Sequence, residues 1–373
     1  MPVYNAGGSL LESITSVQVQ SMPDWELIVL DDGSSDNSPE QLRRFASKDR
    51  RISVFRKEND ANFCTARNMK LMLQKAEGEF CFYMSQDDVI APDLFEKAME
   101  RAAEASLDVV VPDMLLRLSD ERIEETCGSH PPGDNYDAIL SGREAFYHSI
   151  DFTVNGFAFF RRELIEQNIP DTNNFDADEF NTRLQFLAAR RVGFCHSTFF
   201  YNQTNDTAIT KRFSVRWFER LNTVRALDRV CCQTFNETTV FAKGNDRGAN
   251  KNEENTASNQ QDISFSQEAI LKSKTWMVKI YAALMVEYLN NKHRITPPER
   301  HKAAALIKGF ERNATLKGYK RRILGRLNTA ERLFAMWFFV FGTCRSMAPL
   351  HRIYRLLKSL KPFRDATSAV SLL

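Results

Sequence analysis

Two pairs of adjacent aspartates follow strand-like segments near the start of the chain. The pair Asp31–Asp32 comes directly after the apolar run 26–30, and the pair Asp87–Asp88 follows the run 80–84. The carboxyl ends of parallel strands line the ligand crevice of an open α/β sheet, so both pairs are predicted to lie at that edge. Carboxylates gathered there can hold Mg²⁺ or Mn²⁺, often against a diphosphate, or can accept hydrogen bonds from a ligand. Taken singly, each aspartate is equally typical of a turn or a helix N-cap.

The elements that must position these acids alternate along the first half of the chain. Helix-like stretches of 9 to 15 residues separate the strand-like runs. Such alternation indicates βαβ units and a mostly parallel sheet, so the predicted fold class is α/β. The strands are predicted at 26–30, 52–55, 80–84 and 108–111, and the helices at 38–46, 65–76 and 91–105.

The second half of the chain has a different composition. Residues 234–262 are polar and nearly free of apolar side chains after Phe241, which predicts a linker. Long helices are predicted at 264–291 and 297–315. The predicted organisation is therefore a catalytic domain over 1–233, a linker over 234–262 and a helical, basic region over 263–373.

The charge of the chain is concentrated at its C-terminal end. The net charge is +2, but residues 301–373 carry 15 Lys and Arg and 3 Asp and Glu, a local net charge of +12. A basic, partly amphipathic end of this kind predicts contact of residues 328–373 with an anionic membrane surface. The alternative is a buried helical hairpin with a solvated basic face. No apolar run reaches the ~20 residues that span a bilayer.

Composition excludes several classes of protein. The 28 Phe, 9 Tyr and 4 Trp can form a large core, so the chain is not disordered as a whole. Seven cysteines without a Cys-x-x-Cys pair argue against a disulfide framework or zinc site and favour a reducing compartment. The aromatic residues of the basic end lie in one apolar run and are not spaced to stack on bases, so no nucleic-acid partner is expected.

Four motifs occur in a fixed order over the first 90 residues. They are Pro-Val-Tyr-Asn-Ala at 2–6, Asp-Asp-Gly-Ser-Ser-Asp at 31–36, Ala-Arg-Asn at 66–68, and Gly-Glu-Phe at 78–80 leading to Asp87–Asp88. In this order they resemble family 2 glycosyltransferases of the GT-A fold, over about residues 2–215. The resemblance implies a Rossmann-like, mostly parallel sheet flanked by helices, followed here by a C-terminal α-helical extension.

The resemblance also implies an activity. Family 2 enzymes generally move a sugar from a nucleotide-sugar, here expected to be a UDP-sugar, to a hydroxyl group with inversion of the anomeric centre. The expected acceptor is a glycan or lipid-linked glycan, as in lipopolysaccharide or capsule assembly, at the inner face of the cytoplasmic membrane. The alternative is a non-catalytic nucleotide-sugar-binding or scaffold protein with a degenerate GT-A domain.

The family's donor-binding roles carry over to five residues at the N-terminal end of the chain. By resemblance, Pro2, Tyr4 and Asn5 would lie near the nucleotide base. Asp31 and Asp32 would contact uracil or ribose.

The family's remaining roles are contact with the diphosphate, binding of the metal ion and supply of the catalytic base. Arg67 would approach the diphosphate or the edge of the base, as the geometry of guanidinium suits phosphate. Asp87 would bind the divalent metal and contact the donor, with Asp88 beside it as a second metal residue. Asp178 and Glu179 match the acid pair that supplies the catalytic base, and either one fits. The alternative is that both are exposed acids at a helix start.

The chain departs from the family pattern at four places. Only Met1 precedes the first motif, so the first strand is expected to be truncated and Met1 to be an internal methionine of a longer natural protein. Ser85 replaces the first acid of the Asp-x-Asp motif, which weakens the predicted metal site. The loop 59–64 lacks the usual glycine pair. Asn202 and Thr204 replace the Arg and His of the closing loop.

Overall fold

A computed structural model gives the structure of most of the chain. It describes residues 1–59, 65–118, 123–125, 130–168, 175–205, 208, 211, 213–244, 253–312, 314–327, 331, 332 and 335. The chain divides into two compact units, Met1–Arg212 and Phe213–Leu373, called here the N-terminal unit and the C-terminal unit.

The N-terminal unit alternates strands and helices, as the sequence predicts. Its described strands are β1 (Pro2–Val3), β2 (Leu27–Asp31), β3 (Ile52–Arg56), β4 (Phe80–Phe82), β5 (Val89–Ile90), β6 (Val109–Arg117), β7 (Ile123–Glu125), β8 (Phe159–Arg161) and β9 (Val192–Asn202). Its described helices are α1 (Ser9–Gln18), α2 (Ser38–Lys48), α3 (Thr65–Leu73), α4 (Leu94–Ala105), α5 (Gly142–Ser149), α6 (Arg162–Gln167) and α7 (Ala177–Ala188).

The strands form two sheets. The first is fully parallel with the order β1-β2-β3, and the second is mixed with the order β4-β8-β6-β9-β5, β7 pairing with β6. In the second sheet β6 and β9 run parallel, whereas β8 is antiparallel to both β4 and β6. The α/β class is confirmed, and the parallel pairing is concentrated in the first sheet and at the centre of the second.

The first strand, β1, spans two residues. Pro2 lies opposite Leu30 and Val3 opposite Asp31, so β1 pairs only with the end of β2. The amine of Met1 is buried and donates to the carbonyl oxygen of Ile28 at 2.8 Å. This pairing places the loop after β1 beside the loop after β2, where two of the predicted motifs lie.

Aromatic residues join β4, β8 and β9 in the core of the second sheet. Phe82 stacks on Phe159 with ring centroids 4.5 Å apart, and Phe157 stacks on Phe199 at 4.3 Å. Phe159 and Phe199 are buried in the core of the sheet. The strands that carry the loop 83–88 and the end of β9 are thereby held at a fixed separation.

The C-terminal unit is helical in its described residues. Its helices are α8 (Arg220–Gly244), α9 (Glu253–Asn291), α10 (Pro297–Glu311) and α11 (Lys320–Gly325). The stretch 234–262, predicted as a linker, is helical over 234–244 and 253–262. Phe235 on α8 packs edge-on against Phe265 on α9, with ring centroids 5.6 Å apart. Packing of apolar residues stabilises these helices despite their polar composition.

A buried ion pair joins α8 to α9. The ammonium of Lys274 lies 3.1 Å from both carboxylate oxygens of Asp228, and the hydroxyl of Ser273 donates to the same carboxylate at 3.2 Å. Both charged side chains are at most 6% exposed. Among the described residues, no helix is long and apolar enough to cross a membrane. The predicted membrane-contacting segment 328–373 lies outside the described residues except for positions 331, 332 and 335.

Candidate active site

The loops that follow β1 and β2 are tied together by Asn5. Its side-chain oxygen accepts from the backbone N–H of Ser35 at 2.8 Å, and its own N–H donates to the hydroxyl of Ser34 at 3.0 Å. Asn5 has a positive φ of 47°, a conformation that asparagine tolerates better than most residues. Tyr4, beside it, is 46% exposed. The predicted nucleotide-binding residues Tyr4 and Asn5 therefore lie at the surface on a loop of fixed shape.

The pair Asp31–Asp32 is fully buried and faces basic residues at the end of β3. Asp31 accepts the N–H of Ser34 at 2.9 Å and lies 3.5 Å from the guanidinium of Arg56. Asp32 forms an ion pair with Lys57. Each carboxylate thus has a cationic partner within the protein.

The backbone and the amide side chains around Asp32 complete this arrangement. The side chain of Asn68 donates to the Asp32 carboxylate at 2.9 Å, and the side chain of Asn59 donates to its carbonyl oxygen at 2.9 Å. A Cβ added at Gly33, whose φ is +74°, would lie 2.5 Å from the backbone nitrogen of Asn59. Only glycine fits this turn. Arg67, predicted to approach the diphosphate, is exposed on α3 next to Asn68.

The second aspartate pair divides into a buried and an accessible member. Asp88 is fully buried, and its two oxygens accept the backbone N–H groups of Ser85 and Asn202, both at 3.1 Å. Burial, followed by the charge of Asp87, raises the pKa of Asp88 to about 7. Asp87 is half-buried and accepts from the side-chain amide of Asn205 at 2.7 Å. Asp88 therefore anchors its loop to β9, and Asp87 is the carboxylate available to a ligand.

A glutamine that the sequence analysis did not assign connects this loop to the nucleotide loop. Gln86 accepts the N–H of Tyr4 at 2.7 Å and donates to the carbonyl oxygen of Tyr4 at 3.2 Å. The only sequence signal is its position between Ser85 and Asp87. Gln86 thus ties the loop that carries Asp87 to the loop that carries Tyr4 and Asn5.

The acid pair at the start of α7 is also asymmetric. Glu179 forms an ion pair with the guanidinium of Arg183 at 2.5 Å. Asp178 is half-buried, and the pKa of its carboxyl group is raised to about 7, first by burial and then by the charges of Glu179 and Asp176. Asp176, just before the helix, was not among the predicted site residues. Asp178 therefore has a higher affinity for a proton than an ordinary aspartate.

Two tyrosines are affected by the charges of acids on both α7 and the loop 85–88. Burial raises the pKa of Tyr83 well above its ordinary value, with further contributions from Asp178, Asp88 and Asp87. The pKa of Tyr201 is raised by burial and by the charges of the same acids together with Glu179. Each tyrosine is thus close to both groups of carboxylates. Neither was predicted, although both lie near the ends of strands that carry site residues.

A cavity of 920 Å³ opens beside these acids. Asp178, Glu179 and Tyr83 line one part of its wall, together with Gly156 and Thr182. The rest of the lining includes apolar side chains such as those of Trp25, Met72 and Phe82. Its volume is within the range of about 300–1,000 Å³ that is usual for ligand-binding pockets.

The residues present fit a divalent cation that is shared with a substrate. Within the described parts of the chain, no group of three or more His, Cys, Asp and Glu side chains could hold a metal ion alone. Mg²⁺ in proteins is, however, usually bound by one or two carboxylates together with substrate phosphates. Asp87 supplies one accessible carboxylate. Asp88, predicted as a second metal residue, has both oxygens engaged by backbone N–H groups.

A parallel sheet with acids at its carboxyl edge, and an acid pair that lines a cavity, are the arrangement expected of the GT-A fold. The backbone fold supports this class. The crystal structure of TarS residues 1–349 from S. aureus in complex with UDP-GlcNAc superimposes with a TM-score of 0.59 at 14% identity, covering 95% of this chain and 90% of TarS 1–349.

Residues 1–169, within the N-terminal unit, match the family model described as glycosyl transferase family 2. Glycosyltransferase GlyG from Streptococcus pneumoniae is 25% identical over 230 residues, which are 58% of this chain and 74% of GlyG. The putative teichuronic acid biosynthesis glycosyltransferase TuaG from Bacillus subtilis is 34% identical over 105 residues, 28% of this chain and 41% of TuaG. The family predicted from the motifs is thereby confirmed.

Proposed function

We propose that the chain transfers a sugar from a UDP-sugar to a hydroxyl group of a glycan or lipid-linked glycan, with inversion at the anomeric carbon. The observation that carries this proposal is Asp178, a carboxyl group with a pKa of about 7 in the wall of a cavity that Tyr83 also lines. A general base is most effective when its pKa is near the operating pH. Inversion requires a single displacement, and a single displacement requires one such base.

In this mechanism Asp178 is the catalytic base. Its carboxylate takes the proton of the acceptor hydroxyl as the hydroxyl oxygen attacks C1 of the donor sugar. The bond between C1 and the diphosphate oxygen breaks in the same step, and the nucleoside diphosphate leaves from the opposite face. Glu179 is engaged by the guanidinium of Arg183 and takes no part in this step.

Residues of the strand-end loops hold the donor. Tyr4 and Asn5 supply an exposed surface for the nucleotide base, and Arg67 supplies a cation for the diphosphate. The Asp31–Asp32 pair contributes through the loop that it shapes, since both carboxylates are buried against Arg56 and Lys57.

Asp87 would hold the divalent cation. When bound, Mn²⁺ or Mg²⁺ would neutralise negative charge on the departing diphosphate. Gln86 and Asn205 fix the position of Asp87 by hydrogen bonds to the loop after β1 and from the loop after β9. The aspartate is therefore held at a defined place before any ligand binds.

The experiment that tests this function is thermal melting with UDP, GDP and CDP, each with and without Mn²⁺. A ligand that binds only the folded state stabilises it by about 2.7 kcal/mol at a hundredfold excess over Kd. We expect a Mn²⁺-dependent rise in Tm with UDP that is lost in Asp87→Ala and kept in the exposed control Asp137→Ala. A cooperative transition that none of the nucleotides shifts would support the non-catalytic alternative instead.

We further propose that residues 328–373 hold the enzyme at the cytoplasmic face of the membrane. The support is the local net charge of +12 over residues 301–373. Deleting 328–373 should move the protein from the membrane pellet to the supernatant, while the melting transition of the N-terminal unit persists. Unchanged sedimentation of the truncated chain would contradict the proposal.

A further inference from the structure

In the ion pair between Glu179 and Arg183, the arginine is buried and the glutamate is partly exposed. The side chain of Arg183 is 4% exposed, whereas that of Glu179 is 40% exposed. The guanidinium lies 2.5 Å from the carboxylate of Glu179 and also donates to its backbone carbonyl at 2.8 Å. Its other face lies 4.5 Å from the ring centroid of Phe152. Arg183 therefore has one fixed position in α7, with its charge directed at Glu179.

This position matters because Glu179 is the direct neighbour of Asp178. A negative charge next to a carboxyl group of low solvent access disfavours its ionisation, and a cation within about 4–6 Å opposes that effect. Asp176, on the same segment, adds a second negative charge that raises the pKa of Asp178. Tyr83 and Tyr201 also interact with Asp178, and burial raises the pKa of both phenols above its ordinary value. The helices packed against α7 carry further charged side chains, Arg67 and Lys70 on α3 and Arg143, Glu144 and His148 on α5.

We propose that Arg183 is a positioning residue for catalysis: by neutralising and holding Glu179, it leaves Asp178 as the single carboxylate of the pair that accepts the proton from the acceptor. This inference rests on the proposed function, in which Asp178 is the base. It adds a division of labour within the acid pair that the sequence leaves open, since either acid fits the family motif.

The test is the pH dependence of kcat/KM for the full-length enzyme in Arg183→Gln. Loss of the cation leaves the Glu179 charge uncompensated, so the acid limb of the profile should move to higher pH by about one unit. Activity near pH 6.5 should fall about tenfold, and activity above pH 9 should stay close to the wild-type value.

The double variant Glu179→Gln with Arg183→Gln removes both charges and keeps two hydrogen-bonding side chains. Its acid limb should return to the wild-type position or below it. Arg183→Lys keeps the positive charge, so the acid limb of its profile should lie close to the wild-type position. The matched control is Glu40→Gln with Arg44→Gln, an exposed ion pair of the same spacing and 2.5 Å length on α2, and its profile should be unchanged.

A uniform loss of kcat/KM at every pH in Arg183→Gln would overturn the inference, because a merely structural role produces that result. If Arg183→Gln does not fold, Glu179→Gln alone decides, since it should move the acid limb to lower pH. An unmoved limb in that variant would also overturn it. Asp178→Asn separates the two proposals. Full activity in this variant would show that Asp178 is not the base. An inactive Asp178→Asn, together with unchanged pH profiles of kcat/KM in Arg183→Gln and Glu179→Gln, would exclude only the role of Arg183.

Discussion

Two acid pairs in this chain look alike in sequence and differ in their surroundings. Both members of the Asp31–Asp32 pair are buried and face a cation each, Arg56 and Lys57. In the Asp178–Glu179 pair the cation of Arg183 serves Glu179, and the pKa of Asp178 is raised to about 7.

We infer that burial and neighbouring charges together decide what an acid pair can do. Carboxylates that are each matched by a basic side chain hold a loop in place. A carboxylate left next to another acid in a site of low solvent access can accept a proton near neutral pH. On this argument the pair at β2 is an anchor and the pair at α7 is reactive, and four substitutions separate the two.

The largest expected effect is on turnover. Asp178→Asn should lower kcat by about 10²- to 10⁴-fold, the usual contribution of a general base. Steady-state transfer assays with the wild-type acceptor and donor measure it. Glu179→Gln should lower kcat much less. Equal losses in both variants would mean that the two acids share the role.

The second effect is on the free energy of unfolding. Here a substitution in the Asp31–Asp32 pair should cost more than one at Asp178. Asp32→Asn leaves Lys57 and the amide of Asn68 without their carboxylate, which should reduce the free energy of unfolding by about 3 kcal/mol. Urea denaturation measures this loss.

Asp178→Asn should cost no stability at pH 8. The pKa of Asp178 rises on folding from its ordinary value of 3.8 to about 7, so the stabilisation is complete below pH 4 and is lost as the pH rises to 7. At pH 8 a neutral amide therefore replaces an ionised group that opposes folding. A loss at pH 8 as large as that of Asp32→Asn would remove the distinction between anchor and reactive pair.

The third effect is the pH dependence of the wild-type enzyme. Since the base must be ionised, kcat/KM should fall tenfold per pH unit below the pKa of Asp178, which is about 7. Asp31→Asn should leave this limb in place, because its carboxylate does not exchange protons in the reaction. A flat profile down to pH 5 would exclude Asp178 as the titrating base.

The smallest effect concerns the link between the donor loops. Gln86→Leu removes two hydrogen bonds to Tyr4 at an exposed position, so unfolding should become easier by about 1 kcal/mol at most. The KM for the donor should rise while kcat changes little, because Asp178 lies on a different element. A fall in kcat alone would show that the two loops do not act on donor binding.

Much of the fold can be predicted from local sequence. The alternation of strands and helices and the acids at strand ends follow from patterns within about 15 residues. The partners of those acids cannot be predicted in this way. The N–H that binds Asp88 belongs to Asn202, 114 positions away, and the amide that binds Asp87 belongs to Asn205, 118 positions away.

The helices of the C-terminal unit are a second example of structure that local sequence does not predict. Composition alone predicts a linker at 234–262, yet α8 and α9 cover 234–244 and 253–262. Intrinsic propensity is weak compared with the packing of an apolar face such as that of Phe235 against Phe265. Polar residues on the other faces of a helix therefore do not argue against it when tertiary contacts stabilise the helix.

The buried pair of Asp228 and Lys274 has a consequence for how this protein can evolve. A change at only one of the two positions leaves a lone charge between α8 and α9, which costs about 3–5 kcal/mol and is removed by selection. Joint replacement by two apolar residues of similar volume would be close to neutral. Homologous chains should therefore carry either both charges or neither, and the two positions should covary across lineages even though they lie 46 residues apart.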